Sequence, residues 1–245
     1  MSRLDFTIVI PALDEEARIE RTLAAARAAF GDRAEYIVAD GGSADATVAR
    51  SRAAGARVLH ARGGRGAQLA AGAAMAAAPA IVFLHADTLV PPDAAAVLAT
   101  ALADPRVVGG AFRLRFDPAE RPTAAQRLLA RGIGFRSRAF RTATGDQAIF
   151  ARAATLAAVG GVPAVPLFED VRLYRALRRA GRVRLLDAAV TTSPRLWRTR
   201  GTLRVVLLHL AFRALHAAGV SPARLAAWYY RPRASLRPTA ARSTR

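Results

Sequence analysis

Several short stretches place carboxylates, and in one case an arginine, where the chain is expected to turn. Ile81 to Leu84 is an apolar run ending in His85-Ala86-Asp87, with Pro91 and Pro92 following. Asp87 suits a hard divalent cation, which takes oxygen ligands and keeps water or substrate phosphate oxygens in its shell. It suits equally a cap or turn residue ahead of the prolines. His85, taken alone, reads as a satisfied polar residue at a strand end. Asp40 opens DGGSADAT, Asp40 to Thr47, whose glycines allow a tight turn and close approach of a ligand. Ser43 and Asp45 read as capping residues. Capping does not need Asp40, which therefore reads as a ligand contact. GGRGAQLAAG, Gly63 to Gly72, sets Arg65 in a glycine turn before a helix, where a diphosphate could lie against backbone amides. It lacks the Lys-Ser/Thr ending of a Walker loop and carries Leu69 where a dinucleotide fingerprint needs glycine. Last, Glu169 and Asp170 open a predicted helix. They suit its positive end, or one of them is a general base for an attacking hydroxyl. Gly145-Asp146-Gln147 is a polar turn that could hold that hydroxyl.

The elements that would carry these residues follow from periodicity. Apolar, β-branched runs predict strands at Phe6–Ile10, Tyr36–Ala39, Arg57–Leu59 and Ile81–Leu84. Helical spacing predicts helices over Asp14–Phe30, Asp45–Ala54, Gln68–Ala77 and Pro92–Leu102. This alternation indicates a doubly wound parallel sheet, whose ligands bind outside the carboxyl ends of the strands. Asp14 to Glu16, Asp40, His85 and Asp87 all fall there. Further on, Val107–Phe116 alternates as a half-exposed strand, Ala124–Phe140 reads as a helix, and Gln147–Phe150 as a strand. Glu169–Arg179 reads as a helix, Val183–Leu186 as a strand, and Pro222–Tyr230 as a short helix. Leu203–Ala218 is an apolar helix with a polar stripe of His209, Arg213 and His216. It reads either as a core helix or as an interfacial helix on anionic lipid.

Composition bounds the function classes. The chain has 245 residues, 53% hydrophobic, enough for one mid-sized domain with a real core. It has no cysteine, which excludes disulfides and thiolate metal sites. No HExxH, GxSxG or Cys/His cluster occurs, and the four histidines are isolated from one another. The formal charge is +19, every basic residue being Arg. No acid follows Asp187, while the last 58 positions hold 11 Arg, a one-signed end suited to anionic partners. The arginines are otherwise spread along the chain and not interleaved with aromatics, which argues against a nucleic-acid binder. A nucleotidyltransferase would want a basic, glycine-rich loop after the first strand, where this chain has ALDEE. No targeting segment or membrane span is expected.

Taken in order, IPALDEE, VADGGSADAT, GRGAQL, FLHADT, GDQAIF and FEDVRL resemble glycosyltransferase family 2, the inverting nucleotide-sugar transferases of GT-A fold. The likeness runs from about Thr7 to about Tyr230, and is nearest to a small bacterial branch without transmembrane helices. It implies a Rossmann-like, mostly parallel α/β sheet flanked by helices. The nucleotide-sugar half would span 1–105 and the acceptor-side half 106–230, with 231–245 a disordered basic tail. By position, the resemblance implies that Pro11, Glu15 and Asp40 line the nucleotide pocket and that Asp87 binds the metal of the DxD element. Asp170 would be the general base, with Glu169 beside it; Asp146 and Gln147 would shape the acceptor side. Arg195 and Trp197 stand where the family keeps basic and aromatic residues near the diphosphate, although the full Gln-x-x-Arg-Trp element is absent. Gly41 replaces a second acid after strand two, and His85 replaces the first Asp of DxD. The resemblance further implies Mg²⁺ or Mn²⁺, a nucleoside-diphosphate sugar donor and no nucleic acid. The acceptor stays open, a lipid-linked one among the candidates. A cytoplasmic protein is expected, with the inner face of the cell membrane as a further partner surface.

Overall fold

The computed structural model describes residues 4–229; the basic tail expected at 231–245 lies outside them. The chain order is β1 (Phe6–Ala12), α1 (Ile19–Phe30), β2 (Ala34–Asp40), α2 (Thr47–Ala53), β3 (Arg57–His60), α3 (Arg65–Ala74), β4 (Ala80–Phe83), β5 (Thr88–Leu89), α4 (Ala94–Ala103), β6 (Val107–Phe116), α5 (Ala124–Phe140), β7 (Phe150–Arg152), α6 (Ala153–Ala158), α7 (Glu169–Ala180), β8 (Arg182–Thr192), α8 (Arg195–Arg200), α9 (Thr202–Ala217) and α10 (Pro222–Tyr229).

One eight-stranded sheet runs through both halves in the order β3-β2-β1-β4-β7-β6-β8-β5. The first four strands are parallel, as the alternation predicts. β7 is then antiparallel to both β4 and β6, and β8 runs parallel to β6. The parallel strands are apolar at every position because helices cover both faces. Ile8, Ile10, Val82 and Leu84 pack towards α1 and α4, while Val9, Ile81 and Phe83 pack towards α3 and α7. Pro11 is tolerated in β1 because it lies past the last pair with β4, Val9 with Phe83, so its missing N–H breaks no ladder.

The sequence reading differs from the structure at four places. The first helix starts at Ile19, not Asp14, because residues 14–16 are bonded to the loop after β2 and Asp14 is left-handed (φ 52°). The strand expected at Gln147–Phe150 is displaced: residues 145–147 form a 3-10 turn, Ala148 is left-handed, and the strand is Phe150–Arg152. β8 extends to Thr192, so it also pairs with β5, a two-residue strand the apolar pattern does not signal. Finally, α9 is not a core helix. Only Val205 and Phe212 are buried on it, and Leu203, Leu207 and Leu210 are exposed.

Candidate active site

The loops after β1 and β2 are laced together by backbone-to-side-chain bonds in both directions. Asp14 N–H donates to Ser43 Oγ (3.0 Å) and Ala44 N–H donates to Asp14 Oδ1 (2.9 Å). Glu16 N–H donates to Asp45 Oδ2 (3.1 Å) and Ala46 N–H to Glu16 Oε2 (3.0 Å). Glu15 N–H donates to Thr47 Oγ1 at 2.8 Å. Asp14, Glu16, Ser43 and Asp45 are thereby committed to the frame. Ser43 and Asp45, expected to cap the helix, instead hold residues 14 and 16; Asp45 Oδ1 also accepts the Thr47 N–H (2.9 Å), but Ala46 is the cap of α2 and makes no side-chain bond.

Asp40 ends β2 and is 1% exposed. Its carboxylate accepts the N–H groups of Gly42 (2.9 Å) and Ser43 (3.2 Å) and meets His60 Nδ1 at 3.1 Å. Burial alone would raise its pKa; these bonds outweigh that and hold it below the ordinary value. Beside it, Gln68 of α3 donates to the carbonyls of Ala12 (2.7 Å) and Ala39 (3.0 Å). A Cβ on Gly41 would stand 2.8 Å from Gln68 Nε2. The residue absent at 41 is therefore replaced, in space, by an amide from α3.

Asp87 is carried by the turn between β4 and β5. Thr22 Oγ1 of α1 supports that turn from below by donating to Ala86 O (2.8 Å). The β5–β8 pairing brings Ser193 alongside, its N–H donating to Asp87 O (3.2 Å), and Arg195 follows two residues later. Arg195 Nη2 donates to Glu15 Oε1 at 2.5 Å. Glu15 Oε2 is buried without a hydrogen bond among the described residues, and Arg18 Nη1 at 4.0 Å is too far to make one. Burial, then the charge of Glu15, push the Asp87 carboxyl up, against the pull of Arg195 and Arg18. A carboxyl pushed up beside a second carboxylate that has an orphaned buried oxygen suits a divalent cation. Among the described residues no cluster of three or more His, Cys, Asp or Glu forms a full cage. Such a cation would therefore complete its shell with water or substrate oxygens.

His85 sits between the two ends of the site. Its Nε2 is buried with no partner, and burial, then Arg65, push its pKa down to about 3, so the ring is neutral. Across from it, Gly145 N–H donates to Asp170 Oδ2 at 2.7 Å. Phe168, left-handed at φ 63°, turns the chain into α7 so that Glu169 and Asp170 open its first turn. Glu169 is buried and bonded to Arg65 Nε, which ties the start of α3 to the start of α7. Asp146 accepts from Thr144 Oγ1 (2.6 Å); burial, with help from Asp170, raises its pKa. Gln147 is fully buried, donating to Phe112 O (3.1 Å) and accepting from Ser137 Oγ (3.1 Å), so it supports the loop from beneath. Trp197 packs edge-on against Phe116 and His209.

The structure thus gathers Glu15, Asp87 and Arg195 at one end and Arg65, Asp146, Glu169 and Asp170 at the other, with His85 between them. Pro11 and Asp40 are buried at the strand ends. Sequence reasoning missed Arg18 and Gln68, and also Arg136, whose charged neighbours are Arg213, Asp146 and Asp170. Arg213 and His209 were visible only as a polar stripe on a helix; that stripe faces Asp170. Nothing in the sequence separates Arg136 from the other arginines of α5.

A family model described as Glycosyl transferase family 2 matches residues 7–157. No curated protein matches the chain. Among solved structures, the chain is similar to glucosyl-3-phosphoglycerate synthase from Mycobacterium tuberculosis, in complex with Mn²⁺, uridine diphosphate and glucosyl-3-phosphoglycerate. The identity is 21% and the TM-score 0.58, over 76% of this chain and 70% of that one. It is also similar to a mannosyltransferase from Pyrobaculum calidifontis in complex with GDP-Man and Mn²⁺, at 21% identity and a TM-score of 0.60. That match covers 87% of this chain and 65% of the mannosyltransferase, so this chain spans about two thirds of the longer protein. At such identities the likeness is one of fold. No described helix is long and apolar enough to cross a membrane.

Proposed function

The chain belongs to glycosyltransferase family 2 and has a GT-A type fold. On that footing we propose that it moves a sugar from a nucleoside-diphosphate donor to an acceptor hydroxyl, with inversion at the anomeric carbon. The observation that carries the reading is the split of the carboxylates. Asp87 is pushed up by burial and by Glu15, whose Oε2 is orphaned, at one end, and Asp170 is bonded to Gly145 at the other. In this reading 1–105 is the donor half and 106–230 the acceptor half.

Asp87, with Glu15 beside it, would hold Mg²⁺ or Mn²⁺, which supplies charge stabilisation for the departing diphosphate. Arg195 and Arg18 add positive charge at the same end. Pro11, Asp40 and the laced loops form the wall against which the nucleoside lies, and neutral His85 and Arg65 flank the sugar. Asp170 accepts the proton of the acceptor hydroxyl. The hydroxyl oxygen forms its bond to C1 from the face opposite the diphosphate, the C1–O bond breaks, and the nucleoside diphosphate leaves with the electron pair. No enzyme nucleophile takes part. A panel of nucleoside-diphosphate sugars with Mg²⁺ or Mn²⁺, scored by nucleoside-diphosphate release and thermal shift, tests this. Silence towards every donor with metal present would count against it.

The partner surface is read from α9. Its stripe of His209, Arg213 and His216 is turned towards the site, although His209 stays exposed: His209 meets Trp197, His216 stacks on Phe168 at 4.8 Å, and Arg213 acts on the charges of Arg136 and His209. Its leucines point outward, Leu203 being 71% exposed. Trp228 of α10 is also exposed, and Arg200 and Arg204 share a groove of about 640 Å³ with it, Leu208 and Phe212. Exposed leucines beside unopposed arginines suit an anionic lipid surface. A second copy would bring like charges together, since each chain carries +19. This supports a cytoplasmic, peripheral protein whose acceptor is presented at the inner face of a membrane.

A further inference from the structure

Two guanidinium groups at the Asp170 end of the site lack a bonded anion. Arg136 buries Nε and Nη2 with no hydrogen-bond partner among the described residues. Its charged neighbours are Arg213 from α9, Asp146 and Asp170. Arg213 lies on the inward stripe of α9 with His209 and His216, and acts on the same group of residues. Burial, then Arg213, pull the Arg136 pKa down; burial, then Arg213, do the same to His209. Two like charges act on each other at this end, one of them carries orphaned donors, and the stacking of His216 on Phe168 holds the α9 stripe beside the start of α7.

The arginines already placed at the two ends of the site are engaged. Arg195 is bonded to Glu15, Arg18 approaches the same carboxylate, and both act on Asp87. Arg65 is bonded to Glu169. The cleft therefore has two separate cationic groups, one at the Asp87 end and one at the Asp170 end. A donor brings a single diphosphate, and Asp87, Arg18 and Arg195 account for it. The pair of guanidiniums at the other end needs an anion of its own. A guanidinium fork matches the oxygens of phosphate, and a phosphate monoester carries close to two negative charges, enough to balance both forks.

We propose that the acceptor carries a phosphate group, held by Arg136 and Arg213, which sets a separate hydroxyl of the same molecule against Asp170. This rests on the glycosyltransferase reading above. The phosphate is unchanged in the reaction. The hydroxyl proton passes to Asp170, its oxygen bonds to C1, and the nucleoside diphosphate departs with the electrons of the broken C1–O bond.

The test titrates inorganic phosphate into the full chain already saturated with Mg²⁺ and the nucleoside diphosphate it binds, followed by calorimetry. Phosphate should bind alongside the nucleotide, and Arg136→Gln and Arg213→Gln should each weaken it about tenfold or more while nucleotide binding persists. Glycerol phosphate and vesicles containing phosphatidate, run in parallel, distinguish a free ester from a lipid headgroup; in either arm the loss should follow the two arginines. Arg136→Lys, which keeps the charge and loses the fork, should fall between wild type and Arg136→Gln, and separates recognition from misfolding. Mutual exclusion of phosphate and nucleotide, or equal phosphate binding by the double Gln variant, would overturn the proposal. Failure of the glycosyltransferase reading looks different: the wild type would bind no nucleoside diphosphate with Mg²⁺, and Asp87→Asn would change nothing.

Discussion

Gly145 gives its N–H to Asp170 Oδ2 at 2.7 Å, and a Cβ at position 145 would stand 2.6 Å from His85 Nε2. The carboxylate proposed as base at the start of α7 and the residue after β4 are thus set against each other across one glycine. His85 is half-buried with its Nε2 enclosed, so the ring cannot swing aside freely. Gly145→Ala must move either the ring or the loop that orients Asp170. Transfer should fall about 100-fold, the cost of a misplacement near 1 Å, with donor binding intact. Steady-state kinetics beside nucleotide thermal shift would check it. Adding His85→Ala opens the space and should recover part of the lost melting temperature; no recovery would mean that the clash is not the cause.

Asp87 and Asp170 should separate in kinetics. Asp87→Asn removes a metal oxygen and should abolish metal-dependent nucleotide binding, seen as loss of the thermal shift with Mg²⁺ or Mn²⁺. Asp170→Asn leaves that end untouched and should lower turnover by about 10²- to 10⁴-fold. An Asp170→Asn enzyme that transfers at the wild-type rate would move the base elsewhere.

Much of this was legible because the parallel half obeys simple periodicity. Ile8, Val9 and Ile10 have to be buried on both faces, which fixes the sheet, and the polar residues then fall at its carboxyl ends. Asp87 and Asp170 stood out as carboxylates after a strand and at a helix start, and the family resemblance alone singled out one for the metal and the other as the base. Thr88–Leu89 was not, since a two-residue strand has no period. Arg136 was not, because its meaning comes from α9, whose Arg213, 77 residues away in sequence, acts on its charge. The orientation of α9 was hidden for a related reason. A helix with a narrow polar stripe normally turns that stripe to water; here it turns inward to line the site.

Asp40 should show itself in the acid limb of stability. Its pKa is held below the ordinary 3.8 by bonds from Ser43, Gly42 and His60, in spite of burial. A lowered carboxyl contributes stability that is present above 3.8 and is lost as the pH falls through the folded value. Asp40→Asn should cost about 1–3 kcal/mol at neutral pH, because the turn loses a charged acceptor for two N–H groups. The gap to wild type should close as the pH drops below about 4. Urea melts across pH 2–7 would measure it, and a gap independent of pH would assign the bonds no ionic part.

The outward leucines of α9 give the last expectation. Leu203, Leu207 and Leu210 recur every three to four residues, so they form one stripe, and none is needed by the core. The tail beyond residue 229 supplies five more arginines and no acid. Vesicles of phosphatidylcholine with phosphatidylglycerol should therefore pull the full chain down at low salt, and phosphatidylcholine alone should do so weakly. The charge part should fade as the screening length shrinks from about 30 Å at 0.01 M to about 3 Å at 1 M. Leu207→Glu with Leu210→Glu changes side chains that are more than half exposed, so melting should be unaffected while sedimentation is lost. Arginine attraction alone would leave the double variant bound at low salt and released by salt as before; that result would remove the helix from the interface. A wild-type protein wholly in the supernatant would remove the membrane surface altogether.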